Sequence, residues 1–533
     1  MLRIKTTLVF LLIGLILSTV GFPRYSSQII QASGSTNNNS VKAKYPFQEV
    51  HIVSSTDGNL AIQEGQLQTG SDTVKSNERW RLSTTDGTYF QIINMENELL
   101  LTANNNETHD IYYTEASDAY ADQQLWSIVG QDKDSYGDFY NYIIANKDNP
   151  SLVLTEENNQ IKISPDQEMP NQKWKLNSSG IVGYAGFVND KDNNIIKTAT
   201  TGGLLGVTVE VRDYESFKRA LDDDVPKTII VAADIDMGVE PVVTKIGSNK
   251  TIIGSYHANT LTNPRFFTDD PYGVSKVSNN IIIKNLNINV DNRPGLITLS
   301  VYGTRNLWVD HSSFDSNMPV DVNEVGKYIW INYSGNQDLD PDYYTISYSK
   351  FSNRYWAVTF GANSITQNHG TVAYNFFDAC VRRTPETGNG RLHALNNYIQ
   401  RDSNDVDNPY AAILGAYEAH TYSEGNRFEG FHQLKSGYWD FELGSTYVKD
   451  VGSYTNSGVN PTLIPHLLKT QEVDAMTTYD PNEHYKYKVL KAYDENNGYD
   501  VKKFTSEYSG IVASSDKLKY VDFPEFSEYL LSE

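Results

Sequence analysis

Arg382, Arg383 and Arg391 lie close together in "VRRTPETGNGR", within a chain of 66 acidic and 44 basic residues and formal charge −22. Guanidinium groups grip carboxylates through paired N–H donors and stabilise negative charge as it develops in a reaction. The cluster is a candidate receptor for an acidic group. Trp330 in "YIWIN" and Trp356 in "RYWAV" add flat apolar faces of the kind that stack on sugar rings. The alternative for both is plain packing of a strand.

Other groupings carry less chemistry. Asp310, His311 and Ser312 are consecutive, and neighbours on a strand point to opposite faces, so a hydrolytic relay is not expected. His393 in "LHALNN" reads as a packing or hydrogen-bonding residue, and Asn396 and Asn397 as a polar turn. Asp338, Asp340 and Asp342 in "QDLDPDYY" have the oxygen density a hard cation wants. In so acidic a chain they, and "DSNDVD" at 402–407, read first as solvated turns. "DKDSYGD" at 132–138 lacks the third acid and final Glu of an EF-hand loop.

The elements that position these residues fall into two groups. "NERW", "QQLW" and "NQKW" end at Trp80, Trp126 and Trp174, intervals of 46 and 48 residues, which implies one repeated unit. Each unit also holds a short apolar run after a polar turn, "TDGNLAIQE", "MENELLLTA" and "KDNPSLVLTE", a hairpin pattern. From about residue 182 onward, short strands follow one another with loops of uneven length. Several close on a turn and a bulky residue, at Ile288, Phe314, Phe351, Phe377, Ile399 and Phe428. Such spacing suits the coils of a parallel solenoid. A helix at 213–223, with Asp213 as N-cap, is expected to cover its open end. The Tyr-, Asp- and Lys-rich tail after about residue 440 is expected to wrap along the outside.

Composition bounds the setting. Residues 1–5, "MLRIK", precede an apolar run at 6–22, the order of an export signal, with cleavage expected near Ala32 and a retained anchor as the alternative. Residues 33–44 read as a flexible linker. Cys380 is the single cysteine, so no intrachain disulfide can form. A secreted protein of a Gram-positive bacterium, monomeric, is the expectation. The acidic balance argues against nucleic acid as a partner.

The three Trp-terminated units resemble the β-trefoil of ricin B-type lectins, whose repeats carry Q-x-W; Gln124 with Trp126 and Gln172 with Trp174 match, and the first repeat has Glu78. The resemblance also places that family's sugar-binding aspartate at Ala61, Leu100 and Val153, so the tryptophans are expected to close a core, and glycan contact would have to come from other loops.

The order "ATTGG", "SNKTIIG", "NLWVDHSSF", "TISYSKF", "RTP" with "LHALNNY", and "SEGNRF" over about 182–430 resembles the pectate lyase family, polysaccharide lyase family 1. The implied fold is all-β: a right-handed parallel β-helix over 182–533, preceded by a β-trefoil over 45–178. The implied activity is β-elimination on pectic polysaccharide, with Arg383 falling on the arginine that takes the C5 proton and Pro385 in register. The family's second arginine falls on Gly388, its lysine on Trp356 and one calcium aspartate on Ile297. Its paired aspartates fall within "GKYIWINYSG", which has no acid. No cofactor is firmly expected, since the primary calcium site is missing. The reading is a lyase with Arg383 as catalytic group and Arg382, Arg391, Trp356 and Trp330 as substrate contacts, possible without calcium because an ester removes the carboxylate charge. The alternative is an inactive carbohydrate-binding or adhesive protein, and Arg391 is a candidate to fold back into the place left at Gly388.

Overall fold

A computed structural model of the chain describes residues 46–531, apart from 57, 71–74, 105–109, 239–242, 269–276, 319, 321–325, 333–341, 361–367, 402–410, 417–418, 431–436, 442–446, 457–461 and 464–478. The export signal and linker expected at 1–44, Asp338 and Asp340, and "DSNDVD" all lie outside the described residues.

The N-terminal domain is a twelve-strand antiparallel sheet between Val50 and Ser178, seven strands of which close into a barrel, the first and last strands of the domain pairing over five residues. The last strand of each four-strand unit opens on one of the repeat tryptophans. Trp80, Trp126 and Trp174 are fully buried. Each indole N–H donates to a carbonyl of its own unit, at Leu60, Leu101 and Leu154, over 2.8–2.9 Å. This arrangement satisfies the polar tip of a large apolar body and gives the threefold repeat its core.

The second domain is a solenoid. Three sheets of ten, ten and eight strands stack coil upon coil, parallel but for the last pair of the second sheet, and each central coil contributes one strand to each sheet in turn. Residues Val209, Ile229, Ile252, Ile283, Val309, Ile346, Val372 and Ala394 form one inward column of the first sheet. Between first and second sheets successive coils bend at one residue with positive φ, at Asn285, His311, Tyr348, Tyr374 and Asn396. The next position stacks side-chain amides: Asn375 donates to Asn397 at 3.0 Å, and Asn397 to Asn426 at 3.0 Å. All three are fully buried, so the ladder supplies partners that water cannot.

The helix Tyr214–Leu221 is capped by Asp213, which accepts from Ser216 N–H, and buries Phe217 and Leu221 over the first coils. The bend also corrects one expectation. His311 sits at φ +42°, which turns its ring back to Asp310, Nδ1 to Oδ1 at 2.9 Å. Both are fully buried with Lys284 and Tyr520, so the pair is structural. A further correction concerns the tail. Strands Tyr447–Val451 and Tyr454–Asn456 extend the solenoid past residue 440. The outer wrapping is made by residues 479–531, whose Leu490, Phe504, Val512 and Tyr520 cover Trp308, Tyr348 and Tyr374.

The trefoil is seated on the first sheet. Thr251 Oγ1 donates to Gln48, Thr198 N–H to Asp134, and the Tyr136 and Tyr343 hydroxyls meet at 2.9 Å. The "DKDSYGD" turn is thus a docking element. Substituting Asn397→Ala strands Asn375 and Asn426 and should cost about 2–4 kcal/mol, read as a lower denaturant midpoint with unchanged slope.

Candidate active site

Parallel pairing in register makes a column across the entry edge of the third sheet. Ile297, which starts Ile297–Tyr302, pairs with Lys327 of Lys327–Asn332; Lys327 pairs with Trp356 of Trp356–Phe360; Trp356 bridges to Arg382. Arg383 follows. Its backbone takes φ +62°, a conformation that costs a non-glycine residue about 1–3 kcal/mol. Hydrogen bonds to the coils on either side hold it there: Val358 N–H donates to Arg383 O at 2.8 Å, and Thr384 N–H to Ala412 O at 2.9 Å.

The turn brings two cations onto one ring. Arg383 Cζ lies 4.0 Å from the Trp356 ring centroid and Lys327 Nζ 4.6 Å from it; Lys327 is also 5.2 Å from Trp330. Arg383 Nε pairs with Glu386 Oε2 at 2.6 Å. Below them Arg354 is fully buried and donates to Leu296 O at 2.7 Å. Burial, chiefly, and then the charge of Arg383 push the Lys327 ammonium down to about 8; Glu386 opposes this and Arg354 adds to it.

A cleft of about 450 Å³ opens beside Trp330, lined by Arg265, Phe267, Arg293, Ile297 and Tyr302 among others. Phe267 and Tyr302 stack at 6.0 Å and Tyr302 meets Trp330 edge-on. At about 4.8 Å per strand, the coils from Phe267 to Glu386 span roughly 19 Å, the length of several sugar rings.

The structure brings Arg382, Arg383, Trp356 and Trp330 to this edge, but gives Trp356 a different use: its ring seats Arg383 and Lys327. Arg391 does not join them. It lies on Gly390–Leu395 of the first sheet, paired with His369 and His420, because the coil has already turned onto that sheet at Gly390. Asp342 is also on the first sheet, where it accepts from His369 N–H and faces Nδ1. Fully buried His393 contacts Tyr485 and Glu424. Lys327 and Glu386 are the site residues that sequence reasoning missed; the signal for Lys327 was a lysine opening the segment from which acids had vanished. Ala61, Leu100 and Val153 of the trefoil are buried.

The described residues of this edge do not fit a calcium ion. The column carries isoleucine, lysine and tryptophan, its adjacent carboxylate is taken up by Arg383, and among the described residues no three His, Cys, Asp or Glu side chains converge.

The pectate lyase profile matches residues 183–489, and this chain belongs to the pectate lyase family. A profile described as ricin-type β-trefoil lectin domain-like matches residues 76–163. The chain is 32% identical over 326 residues to a pectin lyase of Bacillus subtilis, covering 58% of this chain and 84% of the relative. It is 25% identical over 357 residues to a pectin lyase of Pseudomonas marginalis, covering 63% and 97%. A solved thermostable pectate lyase aligns with TM-score 0.47 and 16% identity over 63% of this chain and 97% of its own.

Lys327 makes the site costly. With its folded value near 8 against 10.5 unfolded, the unfolded chain binds the extra proton across that window, so stability rises with pH through it and the full penalty stands below it. Lys327→Met should therefore stabilise the protein at pH 7 by up to about 3 kcal/mol. The gain should fade as pH rises from 8 to 10.5, as checked by denaturation at several pH values.

Proposed function

We propose that the protein is a secreted lyase that cleaves pectic polysaccharide by β-elimination at the Trp356 edge, with no calcium required. The observation that carries this reading is the pair of cations, Arg383 and Lys327, on one ring at the end of an aromatic groove. Elimination needs the C5 proton of a uronate made acidic, and positive charge aimed at the carboxyl group does this by stabilising the enolate that forms. A methyl-esterified unit suits the site best, because the ester removes the charge a divalent ion would otherwise neutralise, and Glu386 beside Arg383 disfavours a second free carboxylate. Names of relatives point the same way, two of them being pectin lyases. Arg383 is a catalytic group, and Trp330 with Arg382 contacts the chain. The trefoil adds glycan contact through loops other than the three buried ligand positions, and the protein acts as a monomer.

A second reading, a carbohydrate-binding protein without chemistry, is favoured by the loss of the family's second arginine at Gly388, which is buried in its strand. Ultraviolet absorbance of unsaturated product separates the two. Methylated pectin should give product that survives chelator, polygalacturonate less, and Arg383→Ala should lose at least about 100-fold. A folded protein that gives no product from either substrate supports the binding reading.

A further inference from the structure

The arrangement around Trp356 divides the labour of elimination differently from the expectation that Arg383 takes the proton. Resting on the lyase reading, we propose that Lys327 Nζ is the base that removes the C5 proton and that Arg383 binds the carboxyl oxygen on which charge accumulates.

Three observations lead here. Nζ and the Arg383 guanidinium share one aromatic ring, at 4.6 and 4.0 Å from its centroid, so one uronate unit held over that edge meets both. Arg383 is already engaged: its Nε is ion-paired with Glu386 Oε2 at 2.6 Å, and a guanidinium keeps its proton in proteins. Lys327 is buried between Arg383, Arg354 and Glu386, with Ile297, Trp330 and Trp356 as its apolar neighbours. That setting holds its ammonium near 8, where a sizeable fraction is free amine at mildly alkaline pH.

The step balances without a co-reactant. The C5–H bond breaks and its proton goes to the Nζ lone pair, giving ammonium. Its electron pair enters the enolate held by Arg383. The pair then returns to form the C4=C5 double bond as the C4–O bond breaks. The leaving oxygen takes the proton back from the ammonium, directly or relayed through a water, which restores the amine.

The test is the pH dependence of kcat on methylated pectin for wild type, Lys327→Arg, Lys327→Ala and Arg383→Lys, with folding checked by thermal melts. Wild-type kcat should rise through a limb near pH 8. Lys327→Arg keeps the charge but cannot release the proton, so kcat should fall at least about 100-fold with KM little changed and the limb lost. Methylamine should restore Lys327→Ala in proportion to its free-base concentration. If Lys327→Arg stays within about threefold of wild type and keeps the limb, Arg383 is the base and the inference fails while the lyase reading stands. Wild type inactive on every pectic substrate overturns both.

Discussion

Parallel hydrogen bonding between coils, residue for residue, is the constraint on which everything else in the solenoid rests. Each strand must lie about 4.8 Å above the last with side chains in columns. A residue's position within its coil therefore decides which chemistry it can join. Inward columns become the aliphatic core, the column just after the bend becomes the Asn375–Asn397–Asn426 ladder, and the entry edge of the third sheet becomes the site. Ile297, Lys327, Trp356 and Arg382 are neighbours only because four consecutive coils keep register, although 85 residues separate the first from the last.

Within that column the energetics oppose stability. Two cations share one ring, a third lies buried beneath, and Arg383 sits in a left-handed backbone conformation. A core built for stability alone would place apolar side chains there. Concentrated strain and like charge are what a site for developing negative charge requires, and the surrounding ladders hold them in place. Glu386, ion-paired with Arg383, offsets part of the repulsion between the two cations.

The fold was legible in the sequence to a large extent. The Trp repeats gave three units, and the turn residues gave the coils and the helix at 214–221, because these are local signals. The site was legible in part. Arg383 and Pro385 carry a motif, and Trp330 and Trp356 stand out by type. Lys327 does not, since its meaning comes from the ring one coil later. Arg391 was misplaced for a related reason: nearness in sequence to Gly388 hides the corner at Gly390 that sends it to another sheet. The Asp310–His311 contact depended on a positive φ that strand alternation does not foresee.

Under the proposed function, side-chain cations at the Trp356 edge receive the uronate without a metal ion. The most direct measurement is a crystal structure of Lys327→Met, grown with calcium and soaked with a methyl-esterified galacturonan oligomer. The account predicts a uronate carboxyl oxygen within hydrogen-bond distance of Arg383, C5 facing the side chain at 327, further rings along Trp330 and Tyr302, and no ion between sugar and protein. A calcium ion bridging the carboxyl group to protein oxygens, or a sugar chain bound away from the third sheet, would contradict it.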